Sequence, residues 1–97
     1  MAGEREVRWS EEAMRQVDAI KAFIVKGWSG REGEEFLDLL QAFETLVKRH
    51  PKAFEASERY PGCRRATMHR HLSVVYRLVG DTVEVVTVRD NRSEELP

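Results

Sequence analysis

A chain of 97 residues, 41% hydrophobic and 34% charged, has room for one hydrophobic core and not for two. Sixteen Lys and Arg nearly cancel seventeen Asp and Glu, so overall charge gives no argument for nucleic acid; a single cysteine rules out an intrachain disulfide, and no apolar run approaches the ~18 residues of a membrane span. With no leader-like pattern after Met1, the expected home is the reducing cytoplasm, and residues 1–97 are expected to form one domain with a mobile tail from 92 to 97.

The first element in chain order is a short strand over Glu4 to Trp9, with Arg5, Val7 and Trp9 on one side. Ser10 ends it and is placed to cap a helix, because Glu11 and Glu12 follow where the helix dipole favours carboxylates. Ala13, Met14, Val17, Ile20, Phe23 and Ile24 then recur at three-four spacing, and Gly27 is expected to close this helix in a left-handed conformation. Trp28 is expected to staple the bend. Ser29 and Glu32 form a capping-box pattern that opens a second helix, whose stripe is Phe36, Leu39, Leu40, Phe43, Leu46 and Val47. Glu44 and Lys48 are spaced as an i to i+4 pair, and Pro51 blocks extension past His50. The two helices, about 17 and 20 residues long by this reading, must lie antiparallel.

A connection from His50 to Gly62 follows, long for a compact domain and of a kind that is often functional. Three strands are expected after it: Cys63 to His69, Leu72 to Val79, and Thr82 to Arg89, the last two joined by a two-residue turn at Gly80 and Asp81. That turn pairs Val79 with Thr82, Arg77 with Glu84, and Val75 with Val86, and makes Arg77 and Glu84 a cross-strand ion pair. Alternation puts Leu72, Val74, Tyr76, Leu78, Val83 and Val85 on one face. Val75, Val79, Val86 and Val88 share the other with Ser73, Arg77 and Glu84. Both faces are largely apolar, so something beyond the helices has to cover the second, either the long loop or a partner segment. The expected fold class is α+β, a strand, an antiparallel helical hairpin and a three-stranded antiparallel meander, with the helices on one face of the sheet.

Charge is unevenly spread over these elements. From Arg59 to Arg77 there are five arginines (59, 64, 65, 70 and 77), two histidines (69 and 71) and no acidic residue. Clustered guanidinium groups can grip phosphate or carboxylate in bidentate geometry, while a solvated sheet face is the alternative reading. Cys63, His69 and His71 share strand parity, but Cys63 and His69 lie too far apart along one strand to form a metal site, so no metal or other cofactor is expected.

In this order the chain resembles the RelE/ParE superfamily of bacterial toxins. The resemblance is carried by Trp28, Gly30, Phe36 and Leu40, then His50-Pro51, then Tyr60-Pro61-Gly62-Cys63-Arg64-Arg65. It continues through His71 and Val74-Val75-Tyr76-Arg77 before Gly80-Asp81, and ends at Asp90-Asn91-Arg92. It implies a type II toxin held inactive by an antitoxin that wraps across helices and sheet. It also implies one of two targets: DNA gyrase, or messenger RNA cut at the ribosome.

The RNA-cleaving branch typically carries basic residues on its second strand, an arginine beginning the third, another after the fourth, and often a tyrosine near the C-terminus. Arg64 and Arg92 fit this pattern, but Ser73 stands where the third-strand arginine is expected, and the last tyrosine is Tyr76. Arginine stabilises a pentavalent phosphate and moves protons poorly, which leaves His69, His71, Glu84 and Asp90 as acid-base candidates. The missing groups and the long hairpin favour gyrase, with RNA cleavage the alternative and a non-toxic binding module a third. The residues expected to touch the target or phosphate are Arg64, Arg65, Arg89 and Arg92. Those expected to meet the antitoxin are Arg64, Arg65, Arg77, Val75, Val86 and Val88.

Overall fold

The computed structural model describes residues 5–91. Strand β1 (Glu6–Trp9) leads into helices α1 (Glu11–Gly27) and α2 (Gly30–Arg49), followed by β2 (Glu55–Ala56), β3 (Arg64–His69), β4 (Leu72–Val79) and β5 (Thr82–Asp90). The sheet has five strands in the order β1-β5-β4-β3-β2. This is the expected α+β architecture with two additions: β2, a two-residue strand within the long connection, and the parallel pairing of β1 with β5.

The helix boundaries follow from local chemistry. Ser10 Oγ accepts the Ala13 N–H at 3.0 Å, and Ser29 Oγ accepts the Glu32 N–H at 3.1 Å, so each helix starts at its serine cap. The bend differs from expectation at two residues. Gly27 is helical and has no positive φ, because the amides of Trp28 and Ser29 both bond the Ile24 carbonyl, at 2.8 and 3.2 Å, and close the turn without a left-handed residue. Trp28 packs against Phe23 with the rings tilted by 50°, 5.5 Å between centres, yet stays 46% exposed. Glu44 also departs from its expected pairing, since its carboxylate accepts the Trp9 indole N–H at 2.7 Å and so ties α2 to β1.

The core lies between the hairpin and one face of the sheet. Ile20 and Ile24 of α1 and Phe36, Leu40, Phe43 and Val47 of α2 are buried there against Ala66, Leu72, Val74, Tyr76, Val83 and Val85. Phe43 is central, with Trp9 at 6.1 Å and Tyr76 at 5.6 Å between ring centres, both edge-on. Val17 is partly buried against this core, whereas Met14 and Leu46, at the edges of their stripes, are exposed.

The β4–β5 hairpin turns at Gly80, whose φ of 60° suits it to a two-residue loop, and it keeps the expected register from Val79↔Thr82 to Arg77↔Glu84. Beyond that the alternation breaks. Tyr76 faces Val85 while Val75 faces Thr87, so Val86 is the extra residue of a β-bulge. The expected Val75–Val86 pairing is therefore replaced. Every later side chain of β5 swaps face: Val88 turns into the core, 2% exposed, rather than sharing the second face with Val75, and Arg89 moves to the face away from the helices. The bulge sits where β1 ends at Trp9↔Val85. Ser10 and Gln16 take over the uncovered edge of β5. The Ser10 hydroxyl donates to the Val86 carbonyl at 3.2 Å, and Gln16 Oε1 accepts the Val88 N–H and the Thr87 hydroxyl, both at 2.8 Å.

Candidate anion-binding site on the sheet

Register alone assembles a site on the sheet face away from the helices. Arg65, Val75 and Thr87 form one cross-strand row, and Thr67, Ser73 and Arg89 form the next. Two arginines from different strands thereby share a face. Val75 and Ser73 are buried at the floor although the helical hairpin lies on the other side of the sheet. Their cover is the connection itself: Glu55 to Tyr60 forms the far wall of a cleft of roughly 430 Å³ whose floor is Arg65, Thr67, Ser73, Val75 and Arg89.

Two of the guanidiniums in this cleft contact a hydroxyl. Arg65 Nε donates to Ser73 Oγ at 3.1 Å, and Arg89 Nη1 donates to Tyr60 Oη at 3.3 Å. The Arg59 guanidinium lies over the Tyr60 ring, 5.7 Å from its centre. Three guanidiniums, the hydroxyls of Tyr60, Ser57, Thr67 and Ser73 and the carboxylates of Glu55 and Glu58 thus line one concave surface. Guanidinium groups gathered on one surface are of the kind that can hold phosphate or carboxylate in bidentate geometry.

The other expected site residues are distributed differently. Arg64 has the opposite parity to Arg65. It pairs with Tyr76 on the helix side and donates to the carbonyls of Phe54 at 2.7 Å and Lys52 at 3.3 Å. Beside it the Tyr76 hydroxyl donates to the Pro51 carbonyl at 2.6 Å. Burial raises the Tyr76 pKa above its ordinary 10.0, while the Arg64 guanidinium opposes that shift. Arg64 and Tyr76 therefore anchor the start of the connection, and its continuation is the cleft wall.

Arg77 and Glu84 make the expected ion pair, Nε to Oε1 at 2.6 Å, outside the cleft. Val86 is half-buried at the bulge. Among the acid-base candidates, His69 and His71 stand at the β3–β4 turn, 5.3 Å apart between ring centres, and line a different cleft. Asp90 is fully buried, and Glu84 is held by Arg77. Arg92 and the tail lie outside the described residues. Tyr60, Glu55 and Glu58 were not recognisable as site residues from the sequence. The signals were the unusual length of the connection that carries them and, for Tyr60, its place at the head of the run to Arg65 that carries the family resemblance.

Among the described residues no group of three His, Cys, Asp or Glu is placed to hold a metal ion, and no helix is long and apolar enough to cross a membrane.

A helical hairpin laid on one face of a small sheet is a fold this chain shares with solved toxins of toxin-antitoxin systems. The chromosomal ParDE system of P. aeruginosa provides a structural match with a TM-score of 0.76 at 19% identity, over 90% of this chain and 96% of that one. RelBE2 from Mycobacterium tuberculosis matches with a TM-score of 0.58 at 20% identity, over 90% and 98%. YafQ from E. coli matches at 0.61 and 13%, over 96% and 100%. No protein of curated function matches the sequence. The family model for the ParE toxin of the type II toxin-antitoxin system parDE matches residues 7–94, and the chain belongs to that family. It is a type II toxin of the ParE kind.

Proposed function

We propose that this toxin acts in the cytoplasm by inhibiting DNA gyrase, and that a cognate antitoxin neutralises it by laying an acidic segment across the arginine cleft. The observation that carries the choice of target is that, among the described residues, no imidazole lines the cleft holding Arg65 and Arg89. Arg65 and Arg89 share one cleft, while His69 and His71 line another, and Asp90 is buried. Guanidinium groups bind phosphate but stay protonated, so they do not supply the proton transfers that contribute ~10²–10⁴ in rate to RNA cleavage. A surface that grips anions without cutting them suits a toxin that acts by holding its target.

The test is a supercoiling assay with purified gyrase together with induced expression in cells. The expected outcome is loss of supercoiling, filamentation and DNA-damage signalling, with messenger RNA intact. Arg65→Ala and Arg89→Ala should each weaken inhibition about tenfold or more. Cleavage of ribosome-bound message by the wild-type chain, abolished by the same substitutions, would overturn this reading.

One observation favours that second reading. The Tyr60 hydroxyl sits 3.3 Å from Arg89 in a cleft also lined by Glu55 and Glu58, so a phenol and two carboxylates accompany the arginines. Tyr60→Phe separates the two mechanisms, since it should abolish an RNA cleavage that uses the phenol and leave gyrase inhibition within about threefold. Absence of any growth phenotype from the wild-type chain would instead identify a binding module without toxicity.

A further inference from the structure

A second cleft, lined by different residues from the first, has the opposite charge. It is an open groove of roughly 750 Å³ between the N-terminal half of α2 and the β3–β4 turn, lined by Glu32, Glu35 and Asp38 on one wall and by His69, Arg70 and His71 on the other. Trp28 closes one end with its indole 46% exposed, over an apolar floor that includes Phe36 and Leu39. Three carboxylates face one guanidinium, so with neutral imidazoles the groove is net acidic. The sheet cleft, where three guanidiniums meet two carboxylates, is net basic. Arg31 reaches Glu35 at 3.7 Å, but both are largely exposed, and such a pair holds neither charge firmly.

We propose that this groove is a separate docking surface for a protein partner's basic, partly apolar segment. In that arrangement an arginine or lysine enters between Glu35 and Asp38, and its neighbouring apolar side chain packs on Trp28 and Leu39. Charge complementarity selects the occupant, since an acidic segment suited to the Arg65–Arg89 cleft is repelled here. The exposed indole adds a face on which a guanidinium stacks, a contact that strengthens as the groove is desolvated. A half-exposed tryptophan beside an apolar floor is also the kind of residue that dominates binding energy at interfaces. This inference does not rest on the proposed inhibition of gyrase.

The experiment is fluorescence anisotropy of the intact chain with a labelled peptide of alternating arginine and leucine, against the same peptide with glutamate for arginine. The arginine peptide should bind saturably, and the glutamate peptide at least tenfold more weakly in the Arg65→Ala, Arg89→Ala background, where the basic cleft is removed. Glu35→Lys with Asp38→Lys should weaken arginine-peptide binding tenfold or more, and Trp28→Ala several-fold. Both acidic residues are exposed on the helix surface, so circular dichroism should be unchanged. Arg65→Ala and Arg89→Ala should leave arginine-peptide affinity within twofold. Binding that survives the double charge reversal, or that falls with Arg65→Ala and Arg89→Ala, would overturn the proposal.

Discussion

Tyr76 shows how one buried side chain controls a surface it never touches. Its ring packs between Phe43 and Phe54, and its hydroxyl donates to Pro51 at the start of the connection that becomes the wall of the arginine cleft. Tyr76→Phe should cost about 0.5–1.5 kcal/mol for the lost bond. Because burial favours the neutral phenol, its folded pKa lies above 10.0. Its contribution to stability is therefore level below pH 10 and falls as pH rises from there towards the folded value, where the unfolded chain ionises first. Denaturant melts of wild type and Tyr76→Phe should differ by a constant amount below pH 10 and converge above it. A constant difference at every pH would show that the phenol ionises equally well in both states. Arg64 belongs to the same anchor: it was legible as part of an arginine cluster, but sequence adjacency to Arg65 hid that the two point to opposite faces.

At the scale of elements, legibility followed how local the cause was. The hairpin lengths could be read because Ser10, Ser29 and Pro51 act on their own neighbours within a turn. The bulge at Val86 could not, since a valine in a run of valines carries no mark of being the extra residue. Its cause is distant, where β1 runs out and α1 takes over the edge of β5. The error was confined to one strand, yet it decided whether Arg89 joined the site. Helix against helix, the constraint is Gly33, buried where a Cβ would lie 2.6 Å from Val25 Cγ2. Valine strongly prefers one χ1 rotamer in a helix, so relieving the contact means either leaving that rotamer or separating α1 from α2. Gly33→Ala should cost about 1–3 kcal/mol by overpacking. Adding Val25→Ala should recover most of it, because Val25 is 43% exposed and lies outside the buried core cluster. Chemical denaturation of the two variants checks this, and a double variant no more stable than Gly33→Ala would show that the helices do not meet there as closely as described.

For the whole molecule, near-neutrality conceals a separation of charge. Guanidiniums gather on the sheet face away from the helices, while carboxylates gather along the N-terminal half of α2, so a formal net charge of −1 says little about what either surface meets. The antitoxin proposed to cover the sheet face should accordingly bind through electrostatics confined to a few residues. Arg65 and Arg89 share the cleft, with the Ser73 and Tyr60 hydroxyls among their partners, whereas Arg77 is paired with Glu84 outside it. Calorimetry of the toxin with its antitoxin at 50 and 300 mM salt should show affinity falling as salt rises, since attraction between exposed charges is screened over about 10 Å at 0.1 M. Arg65→Ala and Arg89→Ala should flatten that dependence; Arg77→Ala should leave it nearly unchanged while lowering thermal stability by a few tenths of a kcal/mol, on the order of 0.2–1. A salt slope unaltered by Arg65→Ala and Arg89→Ala would place the antitoxin's acidic contacts elsewhere, and a large loss of affinity on Arg77→Ala would move them to the exposed end of the β4–β5 hairpin.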